Sequence, residues 1–239
     1  VEFDAVILSG GRSSRLGGVP KSGLTHGGAT LLELALRTAR GALAIAVVGP
    51  DPGMLPVGVL SCREDPPFAG PAAAVAAGLD ALERHHGQGP RESGADPYTL
   101  VLAVDMPRAE SAVQSLLAAA AEAAGGDGLV AVSADGRRQP LAGLYSTAAL
   151  QRAVAGARQR GALENASIFG LLARLDVRDV NVPDGSTDDV DTWDDAAALG
   201  VCGPPGRQGR GGIGRSVPGA RPGTPQLNST LEANGEKPG

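Results

Sequence analysis

The chain has 239 residues, 42% of them hydrophobic, which is enough for one substantial core and by default one α/β domain with a tail. Its 26 Asp and Glu outnumber 21 Lys and Arg, and the formal net charge of -5 argues against a broad electrostatic grip on nucleic acid. No apolar run approaches the roughly 20 residues that cross a bilayer, the N-terminus lacks the order of a signal peptide, and Cys62 and Cys202 form no CxxC pair, so a cytoplasmic protein without nucleic-acid or membrane partners is expected.

Phe3 to Leu8 is a short β-branched apolar run that stops at a glycine pair, the pattern of a buried parallel strand. Leucines at 31, 32, 34 and 36 give Thr30 to Arg40 one apolar helical face, opened by a Thr cap with Glu33 three positions on. Leu43 to Val48 and Val57 to Leu60 are further apolar runs, and Ala72 to Arg84 reads as an alanine-rich helix after Gly70-Pro71. His85 to Pro97 is polar and aperiodic, and is expected to be an exposed loop.

Tyr98 to Val104 is the clearest strand and ends at Asp105. Ser111 to Ala124 follows as a helix, then strands over Leu129 to Ser133 and Leu141 to Tyr145 around the turn Asp135-Gly136, then a helix over Thr147 to Arg160. This alternation predicts a single Rossmann-like three-layer α/β domain over residues 1–202 with a mostly parallel central sheet. Residues 203–239, dense in Gly, Pro, Ser and Arg, are expected to form a disordered tail.

The stretch Leu8-Ser9-Gly10-Gly11-Arg12-Ser13-Ser14-Arg15-Leu16-Gly17-Gly18-Val19-Pro20-Lys21 directly follows the first strand, at the carboxyl edge where open α/β sheets bind ligands. Paired glycines let backbone N–H groups approach phosphate oxygens, and Arg15 and Lys21 can neutralise them. A solvated surface loop is the plainer alternative. Neither GxxxxGK[ST] nor GxGxxG fits, since Pro20 precedes Lys21-Ser22 and Gly10 and Gly11 are adjacent.

The spacing G-G-x-x-x-R-x-G-G-x-x-K resembles the signature of nucleotidyltransferases with a GT-A-like fold, and Leu8-Ser9-Gly10-Gly11 with Arg15-Leu16-Gly17-Gly18 is most similar to the molybdenum cofactor guanylyltransferases. Pro20 departs from the Asp that often precedes the family's lysine. Asp105, in Ala103-Val104-Asp105-Met106-Pro107, could be a metal ligand or a turn residue; the resemblance favours the metal-binding strand end. Asp189-Val190-Asp191-Thr192 precedes the last helix, where Asp191 or Thr192 can cap, and the resemblance suggests Asp191 as a second metal ligand.

The resemblance further implies nucleotide binding by Leu8, Ser9, Gly10, Gly11, Arg15, Lys21, Asp65 and Gly70, catalytic roles for Arg15, Lys21 and Asp105, and Mg²⁺ held by Asp105 and Asp191. Arg137 and Arg138 match the family segment facing the acceptor, although a solvated basic turn serves equally for either. His26, His85 and His86 have no metal-ligand spacing. The implied reaction transfers GMP from GTP to the terminal phosphate of molybdopterin, with transient contacts to molybdoenzyme apoproteins. The alternatives are a cytidylyltransferase or sugar-phosphate nucleotidyltransferase of the same fold, and a noncatalytic chaperone for nucleotide or cofactor.

Overall fold

The structure is a computed structural model and describes residues 1–11, 13–51, 53–87, 97–122 and 125–204. The expected loop core at 88–96 and all but the first two residues of the expected tail therefore lie outside the described residues.

The first strand, β1 (Phe3–Leu8), is buried along its whole length. After the glycine loop come the two-residue strands β2 (Thr25–His26) and β3 (Ala29–Thr30), then α1 (Leu31–Thr38). The expected cap of α1 is present as a reciprocal pair: Glu33 N–H donates to the Thr30 hydroxyl and Thr30 N–H donates to the Glu33 carboxylate. β4 (Ile45–Val48) and β5 (Val59–Cys62) follow, then α2 (Pro71–His86), whose first residue is a proline, tolerated there because that N–H has no helical partner. The second half runs β6 (Tyr98–Ala103), α3 (Glu110–Glu122), β7 (Gly128–Val132), β8 (Arg138–Ser146), α4 (Thr147–Gln159), α5 (Ile168–Leu172), β9 (Val177–Asn181), α6 (Trp193–Leu199) and β10 (Val201–Cys202).

Seven strands form one sheet in the order β5-β4-β1-β6-β8-β7-β9. Every neighbouring pair is parallel except those made by β8, which runs antiparallel to β6 and β7, so the sheet is mostly parallel as expected. Alternation along β1 divides the core. Phe3, Ala5 and Ile7 pack with residues of α1, α3 and α6 on one face, whereas Val6 and Leu8 pack with α2, α4 and α5 on the other. β1 and β6 pair in parallel from Phe3↔Tyr98 to Leu8↔Ala103, so their carboxyl ends finish level and the segments after Leu8 and Ala103 emerge side by side.

Three parts of the fold depart from the sequence expectation. The helix α2 runs on to His86 instead of yielding to loop at His85, because His86 Nε2 hydrogen-bonds both carboxylate oxygens of Asp4 at 3.0 and 2.9 Å. Asp4 is buried at the start of β1 and its charge requires partners there, so a tertiary contact extends the helix beyond its apolar pattern. The strand β8 begins at Arg138, and its register against β7 jumps from Val130↔Gly143 to Ala131↔Gln139, a bulge that leaves Pro140, which has no N–H to give, outside that ladder. Finally, α5, β9 and the small sheet β10-β2-β3 are too short to show a period.

Gly78 lies inside α2, where an alanine would ordinarily favour the helix by about 1 kcal/mol. A Cβ built there would stand 2.5 Å from Val6 Cγ1, 2.9 Å from Val6 Cγ2 and 3.1 Å from Val48 Cγ2, so the missing side chain lets α2 press on β1 and β4. Gly78→Ala is expected to lower stability by roughly 1 kcal/mol or more in urea unfolding, because overpacking outweighs propensity. In a Val6→Ala background the same glycine substitution should cost less, read as a double-mutant cycle; a more stable single variant would contradict this packing.

Candidate functional site

A cavity of about 480 Å³ opens where β1 and β6 end. Leu8, Gly10, Gly11, Ser13, Ser14, Arg15 and Lys21 contribute from the glycine loop, Ala103, Val104 and Asp105 from the end of β6, and Glu64, Phe68, Gly70, Pro71 and Ala74 from the approach to α2; Leu141 and Asp191 complete it. Gly11 has φ +151 and nothing within 4 Å of a hypothetical Cβ, so the loop presents bare backbone there in a conformation few side chains accept. Ser14–Leu16 then makes one 3₁₀ turn, with Leu16 buried as the anchor of the loop.

Lys21 is fixed by its own local structure. Pro20, with φ -60, precedes a 3₁₀ turn over Lys21–Gly23, closed by Gly23 N–H to Pro20 O and Leu24 N–H to Lys21 O. Leu24 is fully buried, and β2 follows it at once, paired with β10 from the far end of the domain. The departure at Pro20 thus starts the turn that carries the lysine. Lys21 Nζ donates to Asp105 Oδ2 at 2.7 Å and to Asp191 Oδ1 at 2.5 Å, and Arg15 lies 3.6 Å from Asp191 Oδ2. Burial works against the charge on Lys21, yet Asp105 and Asp191 outweigh it and hold the ammonium pKa above its ordinary value.

The two acidic segments are tied together by backbone. Val190 N–H donates to Asp105 O at 3.0 Å while its side chain is fully buried, and the carboxylates of its two neighbours, Asp189 and Asp191, lie with that of Asp105. The last helix is capped by Thr192 and not by Asp191: Thr192 and Asp195 form a reciprocal box, and Asp195 also accepts from Asp191 N–H. Asp191 is therefore released from capping and faces Lys21.

Asp105, Asp189 and Asp191 each offer a carboxylate oxygen, all within 4.8 Å of one another. Opposite ligands of Mg²⁺ stand about 4 Å apart, and Mg²⁺ takes hard oxygen donors, so this donor set fits that ion. Partial burial and then the neighbouring charges of Asp105 and Asp191 raise the pKa of Asp189, a mutual repulsion that a bound cation would relieve.

Of the expected nucleotide-binding residues, Leu8, Gly10, Gly11, Arg15, Lys21 and Gly70 line the cavity, as do Asp105 and Asp191. Ser9 does not: its hydroxyl donates to Val48 O at 3.1 Å and ties the loop to β4. Asp65 is exposed and also lies off the lining, where its neighbour Glu64 is the acidic member. Arg137 pairs with Asp135 at 3.1 Å and Arg138 with Asp179 at 2.7 Å, both exposed and away from the cavity, so only Leu141 of that segment reaches it.

Sequence reasoning missed Asp189, Glu64 and Phe68. The alternation Asp-Val-Asp was the available signal for Asp189, whereas nothing in Glu64-Asp65 tells which acid turns inward.

Bare backbone, two cations and a carboxylate cluster suited to a hard metal meet at one cavity, an arrangement with the chemistry to take a phosphorylated molecule. The match to the MobA-like NTP transferase domain over residues 5–175 gives that class its name, and the chain belongs to this family of nucleotidyltransferases. Among solved structures, it is similar to molybdopterin-guanine dinucleotide biosynthesis protein A from Archaeoglobus fulgidus, with 21% identity over 82% of this chain and 96% of that one and a TM-score of 0.58. It is also similar to 2-C-methyl-D-erythritol 4-phosphate cytidylyltransferases. The one from Thermus thermophilus is 22% identical over 83% of this chain and 97% of that one, with a TM-score of 0.57. The one from Francisella tularensis is 14% identical over 84% and 99%, with a TM-score of 0.61. At these identities the likeness is one of fold. No curated protein matches the chain significantly. Among the described residues no helix is long and apolar enough to cross a membrane.

If the carboxylates repel one another without metal, Asp189→Asn should raise the melting temperature in metal-free buffer and shrink the further rise produced by Mg²⁺. Thermal scans with chelator and with millimolar Mg²⁺ would measure both. A variant less stable than wild type in chelator, with an unchanged response to Mg²⁺, would remove Asp189 from the cluster.

Proposed function

We propose that this protein is a magnesium-dependent guanylyltransferase that transfers GMP from GTP to the terminal phosphate of molybdopterin and releases pyrophosphate. The observation that carries this reading is the meeting of Lys21 with Asp105, Asp189 and Asp191 at the end of a glycine loop that opens on a cavity. Family membership and the likeness to the Archaeoglobus protein support it.

The glycine-loop amides, Arg15 and Lys21 hold the triphosphate. Its oxygens compete with Asp105 and Asp191 for the Lys21 ammonium, which is already charged and already beside the cavity. Asp105 and Asp191, with Asp189, would hold Mg²⁺. When bound, this ion supplies positive charge against the phosphate oxygens as charge moves to the leaving group. An oxygen of the acceptor's terminal phosphate attacks the α-phosphorus in line, the new P–O bond forms, the α–β bridge breaks, and pyrophosphate departs. Both reactants are anionic, so positioning and neutralisation are what the protein contributes, and no side chain has to serve as nucleophile. The setting is the cytoplasm, with transient contact to molybdoenzyme apoproteins that receive the product.

The fold is shared with cytidylyltransferases, and the loop and the acidic cluster address parts common to all triphosphates. Base preference therefore tests the reading. With Mg²⁺ and molybdopterin, pyrophosphate release is expected from GTP at least roughly tenfold more efficiently than from CTP or ATP, the factor that about 1.4 kcal/mol of discrimination gives. Preference for CTP would assign the chain to the other branch.

Two substitutions separate an enzyme from a binding module. Lys21→Ala is expected to weaken GTP affinity and slow turnover together, since the ammonium contacts phosphate before and during reaction. Asp105→Asn keeps the size but removes charge from the metal site, and is expected to lower turnover about a hundredfold or more with a smaller change in affinity. Titration calorimetry beside a turnover assay reads both. Normal turnover of the Asn variant at saturating Mg²⁺ would make Asp105 a turn residue.

A further inference from the structure

The two edges of the seven-stranded sheet are unlike. β9 carries Arg178 and Asp179, and Asp179 pairs with Arg138 at 2.7 Å, charges of the kind that keep an edge from pairing with a foreign strand. β5, with the sequence Val-Leu-Ser-Cys, carries no charge, and among the described residues no strand lies beyond it. Its surroundings are apolar as well. Met54 and Val57, in the segment that leads into β5, are fully exposed. Beside them a groove of about 580 Å³ is lined by Leu36, Ile45, Pro56 and Val59 together with Arg37 and Arg40. An uncharged edge, an apolar knob and an apolar groove are thus contiguous, the pattern of an interface and not of scattered surface residues.

The charges around this patch point to its occupant. β4 and β5 run parallel from Ile45↔Val59 to Val48↔Cys62, so Arg40, which precedes β4, belongs to the amino edge of the sheet and Asp51, which follows β4, to the carboxyl edge. Glu33, the acid on the groove lining, is engaged by the Thr30 cap, and no ion pair among the described residues takes up Arg40 or Asp51. A two-fold axis beside β5 reverses the strand direction and sets the carboxyl edge of one copy against the amino edge of the other, which brings Asp51 toward Arg40 of the second copy. We propose that the β5 edge is a dimer interface between two copies of this chain. The two β5 strands pair antiparallel, Met54 and Val57 of each copy sit in the groove of the other, and Asp51 of each faces Arg40 of the other. The patch is self-complementary, as a two-fold contact requires, and the pairing satisfies the outward backbone groups of β5. None of these residues lines the cavity at Lys21, so the interface stands apart from the proposed reaction.

The test is sedimentation equilibrium of the full chain over roughly 1 to 100 µM, where a dimer shows as a mass that doubles with concentration. Wild type is compared with Val57→Asp, Arg40→Glu, Asp51→Arg and the charge swap that combines the last two; all these positions are exposed, and melting curves check that each variant folds. Each single substitution is expected to weaken association about tenfold or more, Val57→Asp by placing a charge in the apolar groove and the other two by setting like charges together. The swap restores opposite charges at both copies of the contact, so it is expected to return to within about threefold of wild type. Such a rescue within one chain requires that the occupant be a second copy. A wild type that sediments as a monomer throughout overturns the inference, and so does a dimer indifferent to Val57→Asp, which would use another face. A charge swap as weak as its parent single variants overturns the antiparallel contact and the inference with it.

Discussion

Lys21 sits between Asp105 and Asp191, 84 and 170 positions away along the chain, and the rest of the site depends on that ammonium. One cation between two carboxylates is a closed arrangement as long as no ligand competes for either. Under the proposed function an arriving triphosphate would open it, its oxygens drawing the lysine while a metal takes its place among the acids. Proximity alone does not make such a group useful; it must be held without collapsing onto one partner. The 3₁₀ turn from Pro20, the buried Leu24 and the β2–β10 pairing supply that hold, and each lies outside the glycine loop itself.

The scaffold delivers these groups through a few backbone constraints. Parallel pairing of β1 with β6 brings the glycine loop and Asp105 to one edge of the sheet. The Val190 N–H to Asp105 O bond, with Val190 packed in the core, then fixes the segment of Asp189 and Asp191 to Asp105, although the two are far apart in sequence. The pairing of Thr192 with Asp195 has a functional side: by capping α6 itself it leaves the Asp191 carboxylate to Lys21. Stability and site share these bonds, so damage to the cap at Thr192 would be felt at the carboxylate cluster as well as in α6.

Much of this was legible in the sequence, where local chemistry and tertiary structure agree. The apolar run of β1, the Thr30–Glu33 cap and the glycine loop ending in Lys21 each follow from neighbours within a few residues, and so were readable. Illegible were features made by distant contacts. His86 continues a helix because Asp4 needs it, Ser9 turns to β4 because Val48 offers a carbonyl, and Arg138 spends its charge on Asp179. The choice between Glu64 and Asp65 turns on a backbone path that one pair of acidic letters does not encode. The two-residue strands β2, β3 and β10 carry no periodicity, although they steady the lysine.

The most direct measurement is a crystal structure with Mg²⁺ and a non-hydrolysable GTP analogue. A metal is expected among Asp105, Asp189 and Asp191, with Lys21 Nζ transferred from Asp191 to a phosphate oxygen and the glycine-loop amides on the triphosphate. A triphosphate bound elsewhere, or a Lys21 that keeps both carboxylates while nucleotide and metal occupy the cavity, would contradict it.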